Sequence, residues 1–446
     1  MKLILIAALL TASVFAQEPR FERDKLFVKV KKGSDLPHSK LIKSSKALFG
    51  QNYLVRTESA LALEKEFKNH PQIASTERSY FAGKKKLPSV EKFKSDGPLL
   101  DFGAFNDPEA GKVWAFSDAL DHGVSVDKAY LSPLNVKKKE IIVAVVDTGV
   151  DYNHEDLKDV MWINQNEIPG NGIDDDNNGY VDDVFGIDPL DDDTDPMASH
   201  AHGTHVSGTI AAAQNNNVGI AGVASSVKLM AIRTVPDRSD ETDADVVESF
   251  LYAAEHGARL INCSFGKKHN EGGMIVNETI DHIGKNYGTL VIAAAGNDYR
   301  SDIDVNLKYP ASFPSDYLMV VAATTKRGGL AWFSNVGLKN VDVAAPGSGV
   351  YSTTPGDGYG NMSGTSMAAP VTAGVAAELL SHFPELDAIS LKKAVMDSVT
   401  SVDKFQDLMA AGGRVDLYQA IQHTLANYDS IMQNQDQRQR QRQQQQ

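Results

Sequence analysis

Three short stretches of this 446-residue sequence put an acid, an imidazole and a hydroxyl where each could move a proton. Asp147 ends the apolar run Ile141–Val146, and Thr148-Gly149 turns the chain away after it. That is the carboxyl end of a strand, where open α/β sheets carry functional groups. Taken alone, such an aspartate is equally a turn or capping residue. His202 lies in His200-Ala-His202-Gly-Thr-His205, just ahead of a helix through Ile210, so an acid behind it would make it a general base. His205, a turn later, reads as a packed ring or one bound to a carbonyl. The three histidines also match the H-x-H-x-x-H spacing of zinc hydrolases, with Thr204 where that pattern has an acid. Ser366 follows Gly364-Thr365 and opens a helix of small residues, whose amino end favours negative charge; alone it would be a cap. Asn297 ends the run Val291–Ala295 after Gly296, and its amide could stabilise the oxyanion formed when an amide bond is hydrolysed. The plain alternative is a turn asparagine.

A second chemistry is written in Asp174-Asp-Asp176-Asn-Asn178-Gly179-Tyr180-Val-Asp182-Asp183, which sets oxygen ligands at alternate positions with a glycine at the turn. This is the first half of an EF-hand pattern, and the spacing predicts calcium held by Asp174, Asp176, Asn178, Tyr180 and Asp183. Phe185 stands where the closing glutamate would be, so a solvated acidic loop is the alternative.

These residues need a scaffold, and the pattern from about Asp101 to Asn427 supplies one. Apolar strands (140–146, 228–232, 260–263, 290–294, 318–322) alternate with helical stretches (206–214, 244–256, 366–383). The expected fold class is α/β, a doubly wound, mostly parallel sheet with helices on both faces. Ahead of it, short strands (26–30, 53–55) and a helix (60–69) predict a small α+β domain. It ends at a boundary marked by Lys84-Lys85-Lys86, Pro88 and Gly97-Pro98. Residues 1–16 have the basic start, apolar core and small-residue end of a secretory signal, and no stretch is long enough for a permanent membrane span. Residues 428–446, nearly all Gln and Arg at their end, read as a disordered tail. Net charge is −14, yet residues 17–95 hold 18 Lys and Arg against 9 Asp and Glu, about +9. Such opposition favours association of the two parts and excludes nucleic acid as a partner of the acidic one. Cys263 is the only cysteine, so no internal disulfide can form.

Together the phrases V-V-D-T-G-V-D (145–151), H-G-T-H-V-S-G-T (202–209), A-A-G-N (294–297) and G-T-S-M-A-A-P (364–370) resemble the subtilisin family in wording and order. The resemblance covers about Asn106 to Ala426. It implies a serine endopeptidase with Ser366 as nucleophile, His202 as base and Asp147 as its partner, and Asn297 with the Ser366 N–H as oxyanion hole. Protein or peptide substrates would lie along Ser264, Phe265 and Gly266, with Ala294, Ala295 and Gly296 as a pocket wall. Lys308 and Asp298 beside that pocket leave two options open, a preference for acidic side chains or mutual neutralisation. The resemblance further implies structural Ca2+ at a second site made by Asp156 and Asn216 with carbonyls of Gln214, Val218 and Ile220. Residues 17–100 would be an inhibitory propeptide that binds its own protease domain (101–427) before removal. The destination would be secreted, extracellular or periplasmic.

Overall fold

The computed structural model describes residues 20–83, 87–91, 99–132, 134, 138–237, 241–268 and 273–444. The expected signal segment, residues 1–16, lies outside them. The amino-terminal unit is β1 (Phe21–Val30), β2 (Ile42–Ala47), β3 (Asn52–Thr57), α1 (Ala60–Phe67) and β4 (Ile73–Tyr80), an antiparallel sheet ordered β2-β3-β1-β4. Ser59 caps α1 by accepting from the Ala62 N–H. Ala60, Leu63 and Phe67 recur on one helical face and bury against Leu26, Val28 and Val55, which closes a small separate core.

The larger unit runs α2 (Val126–Leu131), β5 (Ile141–Asp147), β6 (Gly186–Ile187), α3 (Ala201–Ala211), β7 (Val227–Arg233), α4 (Asp243–Glu255), β8 (Leu260–Cys263), α5 (Gly273–Tyr287), β9 (Leu290–Ala294) and β10 (Leu318–Thr324). It continues with β11 (Val343–Pro346), the hairpin β12 (Val350–Thr354) and β13 (Gly358–Met362), α6 (Thr365–His382), α7 (Ala388–Asp397), β14 (Thr400–Ser401), β15 (Gly413–Arg414) and α8 (Leu417–Gln443). Nine strands form one sheet, β14-β15-β11-β10-β9-β8-β5-β7-β6, parallel except for the β14–β15 edge. Helices cover both faces, which is why β5, β9 and most of β10 read as apolar runs instead of alternating. Every residue of α6 is buried, and its run of Ala, Gly, Thr and Val lets it cross the core close against the sheet.

Two expectations change. The helix expected to start at Val206 begins at Ala201, because the His200 ring accepts from the His202 N–H and so serves as its cap. The tail expected to be disordered is helical to Gln443, because its polar side chains find fixed partners. Gln435, buried, bonds the Asp387 N–H and the Glu385 carbonyl, and Arg438 reaches Asp387 and Ser390. Among the described residues no helix is long and apolar enough to cross a membrane.

The basic amino-terminal sheet lies on α4 and α5 of the acidic unit. Across the contact run Lys25–Asp245 (3.3 Å), Lys29–Glu278 (2.9 Å), Lys46–Glu248 (3.0 Å) and Arg56–Asp192 (2.5 Å). Strand β4 also supplies acceptors to both helix starts. Glu77 Oε1 takes the Met274 N–H at 2.9 Å, and Ser79 Oγ takes that of Ala244 at 3.1 Å. Helix amino ends leave N–H groups without internal partners, so these contacts favour the docked state twice, by hydrogen bond and by dipole.

Candidate active site

Asp147 and His202 meet at the carboxyl edge of the sheet, and Ser366 contacts Ser264, which follows the neighbouring strand β8 at the same edge. Asp147 is the last residue of β5, held by its own carbonyl accepting from Thr234 and Val235. Its Oδ1 accepts from the Thr148 N–H at 2.8 Å and meets His202 Nδ1 at 2.7 Å; both side chains are 1% exposed. Helix α3 can bring the imidazole this near because Gly203 has no Cβ. One built there would sit 2.1 Å from the Gly149 carbonyl oxygen. His202 Nε2 is buried without a hydrogen-bond partner. An imidazole with Nδ1–H tied to a carboxylate carries its lone pair on Nε2, the form a general base requires.

Ser366 is the second residue of α6 and 5% exposed. Its Oγ donates to the Ser264 carbonyl at 3.1 Å, not to His202. The exchange is mutual, since Ser264 Oγ donates to the Ser366 carbonyl at 3.0 Å and accepts from Asn262 Nδ2 at 2.9 Å. Pro370 explains why that carbonyl is available. It stands four residues on and has no N–H to give, so the helix leaves Ser366 O to an outside donor. The Ser264 hydroxyl was missed by sequence reasoning, although a proline four residues after Ser366 was a signal for such a donor.

Asn297 is oriented by its oxygen, which accepts from the Thr365 N–H (2.9 Å) and hydroxyl (3.1 Å). That leaves Nδ2 to point elsewhere. The position a Cβ would take on Gly364 lies 3.5 Å from Asn297 Nδ2 and 3.6 Å from Ser366 N, so two donors converge on space that only glycine keeps open. The third atom near that point is Pro88 Cγ, at 3.3 Å.

Pro88 belongs to the chain's own cleft-crossing segment. Phe81 pairs antiparallel with Thr242, and the Ala82 N–H donates to the Glu241 carbonyl at 2.9 Å. Leu87 and Pro88 line the cavity next to Ser366, and on the far side the Glu91 N–H donates to Asn361 O at 2.7 Å while Ser363 Oγ bonds the Glu91 carboxylate. Pro88, one mark of the boundary expected after the small domain, is therefore seated at the cavity; the other marks, Lys84–Lys86 and Gly97-Pro98, lie outside the described residues. The cavity has Ser264, Phe265 and Gly266 on one side and Ala294, Ala295 and Gly296 on the other. Lys308, Asp298 and Lys268 are the charged residues of its lining. Asp298 meets Lys308 Nζ at 2.7 Å and Lys268 Nζ at 2.8 Å. Burial alone would raise its pKa; hydrogen bonds from the two lysines and Asn335 hold it down to about 2.

The zinc pattern does not assemble. His200 is spent on the helix cap, and His205 Nε2 donates to the Val350 and Gly360 carbonyls at 3.0 and 3.2 Å. Burial, with His202 nearby, pushes His205 down to about 3, so it stays neutral.

The acidic loop folds partly as expected. Asp176 and Asp183 converge with Glu167, their oxygens within 4.8 Å of one another, and Asp183 and Glu167 are buried. Asp174 instead accepts from the Asn178 and Gly179 N–H groups, Asn178 reaches Asp183 through Nδ2, and the Tyr180 hydroxyl turns to Glu248 and Lys46. Three carboxylates this close repel strongly in a buried setting, and an all-oxygen donor set suits a hard divalent cation, so the residues fit calcium. Glu167 was missed because it lies outside the alternating run. At the second expected site, Asp156 is buried and accepts from Asn216 Nδ2 (2.8 Å) and the Ile220 N–H (2.9 Å), while Asn216 Oδ1 takes the Val218 N–H. The Gln214 side chain goes to the Gly222 carbonyl. Asp107, also missed, accepts from the Asn215 and Asn216 N–H groups and brings a second carboxylate to this loop.

A family model described as the subtilase family matches residues 138–425. The chain is 33% identical over 310 residues to subtilisin-like protease 1 of Plasmodium berghei, covering 66% of this chain and 51% of that protein. It is 34% identical to thermitase of Thermoactinomyces vulgaris, covering 63% of this chain and 88% of that protein. The chain thus spans about half the length of the Plasmodium relatives and most of thermitase. The crystal structure of fervidolysin from Fervidobacterium pennivorans superposes with a TM-score of 0.68 at 24% identity, covering 91% of this chain and 62% of that one.

Proposed function

The chain belongs to the subtilase family, and on that footing we propose that it is a serine endopeptidase cutting extended protein or peptide segments through an acyl-enzyme intermediate. The observation that carries the reading is the buried imidazole of His202, tied by one nitrogen to buried Asp147 and unpartnered at the other.

In the first half-reaction Ser366 turns its hydroxyl from the Ser264 carbonyl to His202 Nε2, which takes the proton as Oγ attacks the scissile carbonyl carbon. Asp147 stabilises the imidazolium. Asn297 Nδ2 and the Ser366 N–H hold the oxyanion, and His202 returns the proton to the departing amine. Water then attacks the Ser366 ester with His202 again as base, releasing the acid and restoring the hydroxyl. The substrate joins as an added strand beside Thr242 and Ser264–Gly266, as the chain's own Phe81 and Ala82 begin to do.

Residues 17–100 act as an inhibitory propeptide in this reading, following a signal in 1–16 that directs secretion. The self-cut falls between about Lys84 and Asp101, a reading supported by Leu87 and Pro88 lining the cavity that Ser366 also lines. Calcium is structural; Glu167, Asp176 and Asp183 hold one ion, and Asp156 with Asp107 and the 214–220 loop a second. Its chemistry there is charge neutralisation of buried carboxylates.

A fluorophosphonate should label Ser366 and stop casein hydrolysis by the self-processed chain, with labelling unaffected by a zinc chelator. In Ser366→Ala the amino-terminal unit should stay uncut. Undiminished casein hydrolysis by that variant would sink the assignment.

A further inference from the structure

We propose that the cavity beside Ser366 accepts an acidic side chain on the acyl side of the cut bond, with Lys308 as the residue that imposes this preference. The inference rests on the proteolytic reading above and names the substrate class of the same cleft.

A carbonyl held by Asn297 and the Ser366 N–H directs the side chain before it between Ser264–Gly266 and Ala294–Gly296. At that depth the lining has three charged groups, Lys268, Asp298 and Lys308. Lys308 lies against the wall itself, since a Cβ on Gly296 would meet its Cε at 3.5 Å. Its ammonium is tied to Asp298 Oδ2 at 2.7 Å. If that were the whole network, the pair would be neutral and the cavity indifferent to charge. Asp298 is shared, however. Lys268 Nζ stands 2.8 Å from its other oxygen and Asn335 Nδ2 donates at 3.1 Å, so one carboxylate serves two ammonium groups and an amide. The lining keeps one unit of positive charge.

The two lysines differ in what they can do with it. The Lys268 side chain is 73% exposed and that of Lys308 17%, so solvent screens the first and leaves the second to act on a bound side chain. An ammonium has three N–H donors, and among the described residues Asp298 is the one ion-pair partner of Lys308 Nζ, so donors remain for an incoming carboxylate. An apolar side chain is tolerated, as Leu87 beside the cavity illustrates, whereas a guanidinium or ammonium meets like charge. The Lys84-Lys85-Lys86 run, which by composition alone looks like a basic cleavage site, is then a poor match for the cavity its own chain provides.

The test uses the expressed full chain after self-processing and four-residue peptide anilides differing only in the last residue, Glu, Leu or Arg. In the wild type kcat/KM for Glu should exceed that for Arg by roughly tenfold or more, with the gap narrowing at high salt. Lys308→Ala should lower the Glu-to-Leu ratio by about tenfold, mainly through KM, and Lys308→Arg should restore it. Lys308→Glu should reverse the order of Glu and Arg. Arg equal to or better than Glu in the wild type overturns the proposal whether or not the variants fold, and so does an unchanged Glu-to-Leu ratio in Lys308→Ala. Failure to cut the Leu peptide would count against the endopeptidase reading instead.

Discussion

Ser366 rests on the Ser264 carbonyl in this structure, so in the proposed reaction its hydroxyl must leave that acceptor before it can give a proton to His202. The donors proposed for the oxyanion need no such movement, because Thr365 holds the Asn297 amide by its oxygen. Asn297→Leu should therefore lower kcat by about 100- to 1,000-fold with little change in KM, a magnitude measured on subtilisin itself and carried over to this relative. An equal fall in a truncated substrate's KM, or none in kcat, would show that Nδ2 does not face the oxyanion. At this scale the residues proposed as triad and oxyanion donor could be read from the sequence because each sits in a short phrase whose residues all serve the same turn. Glu167, Asp107 and Lys268 could not. Their roles depend on segments distant in sequence folding back, and nothing in their own neighbours marks it.

The helix that opens with Ser366 ends in a buried charge cluster. Glu378, 1% exposed, bonds Lys138, the Ser225 N–H and His382. Burial alone would raise its pKa, but His382 and Lys138 outweigh it and hold the carboxyl down to about 2. A depressed carboxylate stabilises the fold above its ordinary value near 4.5, and that contribution is lost as pH falls toward 2. Glu378→Ala leaves Lys138 and His382 without their anion and should cost about 3–5 kcal/mol, read by denaturant unfolding at pH 7. The difference from wild type should shrink below pH 4, and a constant difference would refute the electrostatic account. The strands around this helix were legible as apolar runs, since both faces of the sheet are covered. The last helix was not, because Gln and Arg signal solubility and say nothing of the Glu385 carbonyl and Asp387 carboxylate waiting just ahead of α7.

Across the molecule, stability has no covalent staple to draw on, since Cys263 is alone and buried. The carboxylate clusters are where the calcium proposed above would take its place. Calcium at a thousandfold excess over its Kd should add ~4 kcal/mol, so chelation should lower Tm and speed autolysis, and Asp183→Asn should make Tm less sensitive to calcium. A Tm indifferent to chelator would remove the metal from the account. The charge opposition read from composition proved to be an interface, with basic strands on acidic helices, though only the folded chain reveals that β4 also caps those helices. The amino-terminal unit, proposed above as an inhibitory propeptide, would have one more effect, on molecularity. While uncut it would occupy the cleft at a local concentration no free peptide can match, so its inhibition would be independent of how much protein is present. Once the bond beside Ser366 is cut, the same inhibitor becomes a separate molecule with a dissociation constant, and specific activity should rise on dilution of the freshly cut enzyme while the uncut chain stays silent at every dilution.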